Sequence, residues 1–173
     1  MKTICTHCHV ELCSEQGGAD GLVSHGLCRS CLEGIMEGRG ESLDSYLDRF
    51  DTPVFVVDSR GCIVTTNESG QILFAKDLED MRGELTGDVF GCFHAEDPSG
   101  CGETIHCRTC TIRNTITKVL ENGQPCLLQP ACQDLDTVIG PRTVRFLISA
   151  EKAGESVLLR IDDMEYSVDV IRS

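Results

Sequence analysis

The residues best equipped for chemistry lie between Val89 and Arg113, in VFGCFHAEDPSGCGETIHCRTCTIR. Cys92, Cys101, Cys107 and Cys110 fall within nineteen residues at the spacing C-x8-C-x5-C-x2-C, with His94 and His106 among them. Four thiolates suit either a tetrahedral zinc ion or an iron–sulfur cluster. The spacing matches neither of the common ferredoxin runs, so ligand chemistry alone leaves both open. A second structural zinc would be redundant in a domain with its own core, and that favours the cluster. A cluster would make the segment a sensor of oxygen or redox state, whereas zinc would make it a staple or an oxidisable thiol switch. His94 reads as a neighbour of the ligands rather than a ligand, and Arg113 as a partner for their negative charge.

A second thiol group opens the chain. C-T-H-C at Cys5 and Cys8 is followed, nineteen residues on, by C-R-S-C at Cys28 and Cys31. Each C-x-x-C makes a knuckle that presents two thiolates to one ion, and the separation fits a paired-knuckle zinc site. A segment of this size buries too little to fold by itself, so the ion would supply the folding energy. Cys13, His7, His9 and His25 stand nearby and read as bystanders, His25 being the best placed to substitute. The region between the knuckles, ELCSEQGGADGLVSHG, reads as a turn-rich loop. Cys62, Cys126 and Cys132 are scattered and read as small buried hydrophobes with no role.

These groups need elements to position them. Ile112, Ile116, Val119 and Leu120 share one face of a helix over residues 111–122, with Gly123 as its stop. The central thiols therefore run into a helix N-terminus, where the dipole favours thiolate. Two glycines flank Cys101 and Pro98 precedes them, which allows a tight turn. Further back, EGIMEGRGES reads as a linker, and Ser42 as the cap of a short helix presenting Leu43, Tyr46, Leu47 and Phe50. Residues 53–58 and 62–66 make a hairpin. Asn67 begins a polar turn before short helices at residues 72–74 and 77–82. Residues 124–132 form a weak strand, confined to an edge by Pro130. Alternating apolar residues then mark two more strands, one through Val144, Phe146 and Ile148 and one through Val157, Leu159 and Ile161, with a turn near Gly154. The sequence EYSVDVIRS continues or trails the last of them. The order predicts an α+β domain, a five-stranded antiparallel sheet with helices on one side, over residues 39–173, preceded by a zinc module over residues 1–38.

Two resemblances sharpen this. S-H-G-L-C-R-S-C, with a C-x-x-C upstream, resembles the small cysteine module attached to bacterial PAS-containing signalling proteins, which implies zinc at Cys5, Cys8, Cys28 and Cys31. P-V-F-V-V-D-S-R-G followed by Asn67, the helical connector and three closing strands resemble a PAS domain over roughly residues 43–165. The segment from Gly91 to Arg113 resembles a cysteine-rich insertion of some bacterial PAS domains. The resemblance implies a sensor that binds a cofactor between sheet and helices and signals through a protein partner such as a kinase or response regulator. It also implies a possible homodimer through residues 43–50.

Composition narrows the classes. The 173 residues carry a net charge of −13, which disfavours nucleic acid and anionic membrane surfaces. The chain shows no secretory signal and no apolar run of membrane-spanning length, so the expected location is the cytoplasm. There is no phosphate-binding glycine loop, kinase signature or nucleophile elbow, and the reading is non-catalytic. A thiol–disulfide oxidoreductase is the enzymatic alternative. Against it, no C-x-x-C sits on a strand-to-helix turn in a βαβ unit.

Overall fold

The structure is a computed structural model that describes residues 2–5, 10–14, 23–36 and 42–166. The chain divides into two compact units, Met1–Tyr46 and Leu47–Ser173.

In the first unit, β1 (Lys2–Cys5) is flanked by β2 (Glu11–Ser14), antiparallel, and β3 (Val23–Gly26), parallel, in the order β2-β1-β3. The span expected to be a loop between the knuckles thus contains two strands. A helix, α1 (Arg29–Met36), follows at once. It takes up the first four residues of the stretch read as a linker. Leu32 and Ile35, three apart, are buried, and that spacing is the helical signal hidden among the glycines. Then α2 (Leu43–Leu47) begins at Ser42, whose Oγ accepts from the Ser45 N–H at 3.2 Å. This is the expected cap.

The second unit is built on a sheet of five strands, all paired antiparallel. They are β4 (Val54–Val57), β5 (Ile63–Thr66), β6 (Cys126–Leu135), β7 (Arg142–Ala153) and β8 (Ser156–Tyr166), in the order β5-β4-β8-β7-β6. This is the PAS-like α+β sheet expected. Alternate residues of it, among them Phe55, Val57, Val144, Phe146, Ile148, Val157, Leu159 and Ile161, enter a single core. The intervening helices meet that face. They are α3 (Glu68–Phe74), α4 (Leu78–Met81), α5 (Thr86–Phe90) and α6 (Thr111–Asn122), and they contribute Met81, Val89, Phe90, Ile112, Ile116 and Val119. Gly123, at φ 68°, ends α6 where it was expected to end. Residues 167–173, read as trailing the last strand, lie outside the described residues.

Strand β6 is one of the two edge strands, as Pro130 requires. It runs to Leu135, three residues beyond the expected end, after a register shift between Cys126 and Gln129. Leu128 sits there at φ 51°, and its N–H finds Ser149 Oγ at 3.0 Å.

Asn67 does more than begin a turn. Only 1% exposed, it accepts from the N–H groups of Gly70 and Val54 and donates to the carbonyls of Leu47, Phe50 and Thr52. It caps α3 and ties the entry segment to β4 with one side chain. Leu47 is itself fully buried. Within the 43–50 segment expected to meet a second copy, it is therefore not available as a contact.

Candidate functional site

Two groups of thiols emerge, one in each unit. In the first, the Sγ atoms of Cys5, Cys28 and Cys31 all lie within 4.8 Å of one another. Cys5 ends β1 and is fully buried, Cys28 precedes α1, and Cys31 sits in its first turn. The Cys28 N–H points at Cys5 Sγ, 3.3 Å away. Four sulfurs on one tetrahedral ion at about 2.3 Å stand about 3.8 Å apart, so these three could hold a metal ion. Cys8, His7 and His9 lie outside the described residues, as do the side chains of Cys13 and His25.

The second group is arranged differently. Cys92, Cys101, Cys107 and Cys110 line one cavity of about 230 Å³. None of the four is in a disulfide, and each is half-buried. Among the described residues, Cys5, Cys28 and Cys31 are the one group of three or more potential ligands all within 4.8 Å of each other; no three of the central thiols meet that limit. Their spread is too wide for three sulfurs already gathered on a single ion. A cluster, in which thiolates are distributed over several irons, needs them farther apart.

Each thiol is placed by a separate element. Cys92 follows α5, which ends at Gly91 with φ 72°. It forms a β-bridge with Leu135 at the end of β6, and the Asp136 N–H donates to Gly91 O at 2.8 Å. Cys101 lies between Gly100 and Gly102, at φ 79° and 96°, the tight turn that two flanking glycines permit. Its sulfur rests against Gly87 of α5, so closely that a Cβ there would stand 2.5 Å from it. Cys107 is in the 3-10 turn Ile105–Thr109, and Cys110 is the N-cap of α6.

Their electrostatics differ too. Burial pushes the Cys107 thiol up, but the Thr104 hydroxyl, the Gly102 and Thr104 N–H groups and the Arg113 charge outweigh it and hold the thiol below its ordinary value. Gly102 N is 3.0 Å and Thr104 Oγ1 3.2 Å from Cys107 Sγ. Burial raises Cys110 despite the N–H groups of Arg113 and Ile112, and raises Cys101 despite that of Gly87. The helix start therefore does not by itself yield a thiolate at Cys110, because desolvation outweighs the two N–H groups. The Arg113 guanidinium covers Gly102, where a Cβ would stand 2.4 Å from Nη1.

Histidines and strand β6 complete the walls. His94 and His106 stack with ring centroids 3.8 Å apart, and His94 Nε2 is 3.7 Å from Asp134 Oδ2. Cys132, Gln133 and Asp134 line the cavity from β6, and Ser59, Arg60 and Gly61 from the β4–β5 turn. Of the scattered cysteines, Cys62 and Cys126 are buried as expected, but Cys132 is exposed at the cavity. Sequence reasoning missed Thr104, Gln133 and Cys132. The first was legible as the residue three before Cys107 in a tight turn; the other two come from β6, beyond the intervening helix α6.

No family model matches the sequence, and no curated protein matches it. Solved structures that align with it include the photoactive yellow protein domain of the sensor histidine kinase Ppr from Rhodospirillum centenum, at 16% identity and TM-score 0.46, covering 76% of this chain and 99% of that one. A domain of a sensory box sensor histidine kinase/response regulator from Geobacter sulfurreducens aligns at 13% identity and TM-score 0.44, covering 69% and 89%. The PAS domain of an HTR-like protein from Haloarcula marismortui aligns at 12% identity and TM-score 0.45, covering 80% and 100%. The sheet order above, not these distant likenesses, carries the fold assignment. No helix among the described residues is long and apolar enough to cross a membrane.

Proposed function

We propose that this chain is a non-catalytic sensory module of bacterial signal transduction, located in the cytoplasm, that reads redox state or oxygen. In this reading an iron–sulfur cluster is held by Cys92, Cys101, Cys107 and Cys110, and a structural zinc by Cys5, Cys8, Cys28 and Cys31. The observation that carries it is the pair of spacings: three sulfurs within 4.8 Å in the first unit, against four lining a cavity of about 230 Å³ in the second. When bound, the cluster supplies a one-electron couple that oxygen can destroy.

The chain's own residues do the rest. Phe90, Ile112 and Ile116 wall the apolar side of the cavity and exclude water. The Arg113 charge and the donors on Cys107 offset the negative charge that thiolates bring. Cys92 is bridged to β6 and Cys110 caps α6, whose buried residues are part of the core. A change at the thiols therefore strains both β6 and α6, which is the means to alert a protein partner such as a kinase or response regulator.

The test is anaerobic purification with metal and sulfide analysis. A brown protein holding iron, acid-labile sulfide and one zinc is expected. Two zincs without colour would replace this reading with one in which both sites are structural. The depressed Cys107 thiol beside the raised Cys110 favours one enzymatic alternative, a Cys107–Cys110 thiol–disulfide oxidoreductase. A metal-free protein that reduces insulin would establish it.

A further inference from the structure

Thr104 stands at the head of the 3-10 turn Ile105–Thr109, where a threonine hydroxyl ordinarily accepts a hydrogen bond from a backbone N–H of the turn. Here it does not. The side chain makes no capping bond, and the Cys107 N–H donates instead to the Thr104 carbonyl at 3.1 Å. The hydroxyl, on a residue only 8% exposed, is turned to Cys107 Sγ, 3.2 Å away. The Gly102 N–H donates to the same sulfur at 3.0 Å, from a backbone at φ 96° that favours glycine. Two groups from one short stretch therefore converge on this sulfur. Between a free thiol and a hydroxyl either atom can donate. A thiolate bound to metal carries no proton, so there the hydroxyl must be the donor.

We propose that Thr104 is a positioning residue for the group held by the four thiolates, its hydroxyl donating to Cys107 Sγ and so raising the reduction potential of that group. The inference rests on the cluster reading above. An added electron leaves more negative charge on the thiolate sulfurs. A donor on one of them therefore stabilises the reduced form more than the oxidised one. Only an electron is transferred; the hydroxyl keeps its proton. The turn forgoes its own cap so that this donor faces sulfur.

The experiment uses the full chain, reconstituted without oxygen from iron and sulfide, and compares wild type with Thr104→Val and Thr104→Ser by spectroelectrochemical titration. Valine keeps the shape and deletes the donor; serine keeps the donor and deletes a methyl group. With equal iron content in all three, a shift to lower potential is expected for the Val variant and a potential near wild type for the Ser variant. A merely structural threonine would not give that order, since serine loses packing and valine does not. Identical potentials for wild type and the Val variant would overturn the inference and leave the cluster reading intact. A fall in the Ser variant as large as in the Val variant would do the same. A wild-type chain that takes up no iron and sulfide would overturn both. Thr104→Ala, which also lacks the hydroxyl, keeps the comparison available should the Val variant fail to fold.

Discussion

Cys5, Cys28 and Cys31 come from a short strand and the start of a helix, in a unit whose described residues bury few apolar side chains, and their sulfurs already crowd together. Cys92, Cys101, Cys107 and Cys110 come from a long loop braced against a complete core, and they line a cavity without any three of them closing to 4.8 Å. The same side chain thus serves opposite ends. Where the core is poor, the thiols must converge to hold the chain together. Where the core is sufficient, they can be spaced for a larger group whose loss the domain survives.

The largest effect should come from stripping metal. Structural zinc contributes about 10–16 kcal/mol of apparent binding energy in small metal-folded modules. A strong chelator is expected to make residues 1–46 protease-sensitive while the thermal transition of residues 47–173 persists. Loss of both together would show that the units do not differ as argued.

A narrower break is Gly87→Ala. The new methyl would stand 2.5 Å from Cys101 Sγ and must displace it. Iron uptake is expected to drop several-fold with zinc content unchanged, measured by metal analysis. Full retention of iron would mean that Cys101 is not a ligand.

The smallest effect sharpens the electrostatics within the second group. In the metal-free protein, Cys107 should be alkylated at lower pH than Cys101 or Cys110, because its thiol is depressed and theirs are raised. The sign is fixed by the thiolate being the nucleophile: a lower pKa brings the reaction in at lower pH. Thr104→Val removes the hydroxyl 3.2 Å from Cys107 Sγ and should move its alkylation profile upward, read by mass spectrometry of the labelled peptide. An unmoved profile would assign the depression to Gly102 and Arg113 instead.

The fold was legible where one physical signal dominated. Alternation placed β7 and β8, the Ile112–Ile116–Val119 stripe placed α6, and Pro130 placed β6 at the edge. Helix α1 was not legible, because glycines at 34 and 38 masked the Leu32–Ile35 spacing. Nor was α5: TGDVF holds only one turn of periodicity, and its role appears once Cys101 lies on Gly87. The thiols were visible as a set because sulfur is scarce and clustering stands out. What surrounds them was not, since Gln133, Asp134 and Arg60 reach the cavity through sheet pairing that no local spacing encodes.

The bridge between Cys92 and Leu135, with the Asp136 N–H bonded to Gly91 O, has a second meaning. An edge strand is a template on which another chain can pair, and β6 blunts its first half with Pro130 and a register shift. Its far end is capped instead by the residue that carries the first central thiol. Unseating Cys92 would bare backbone groups that otherwise have no opportunity to recruit a foreign strand, so the same event that empties the cavity would also make the domain sticky.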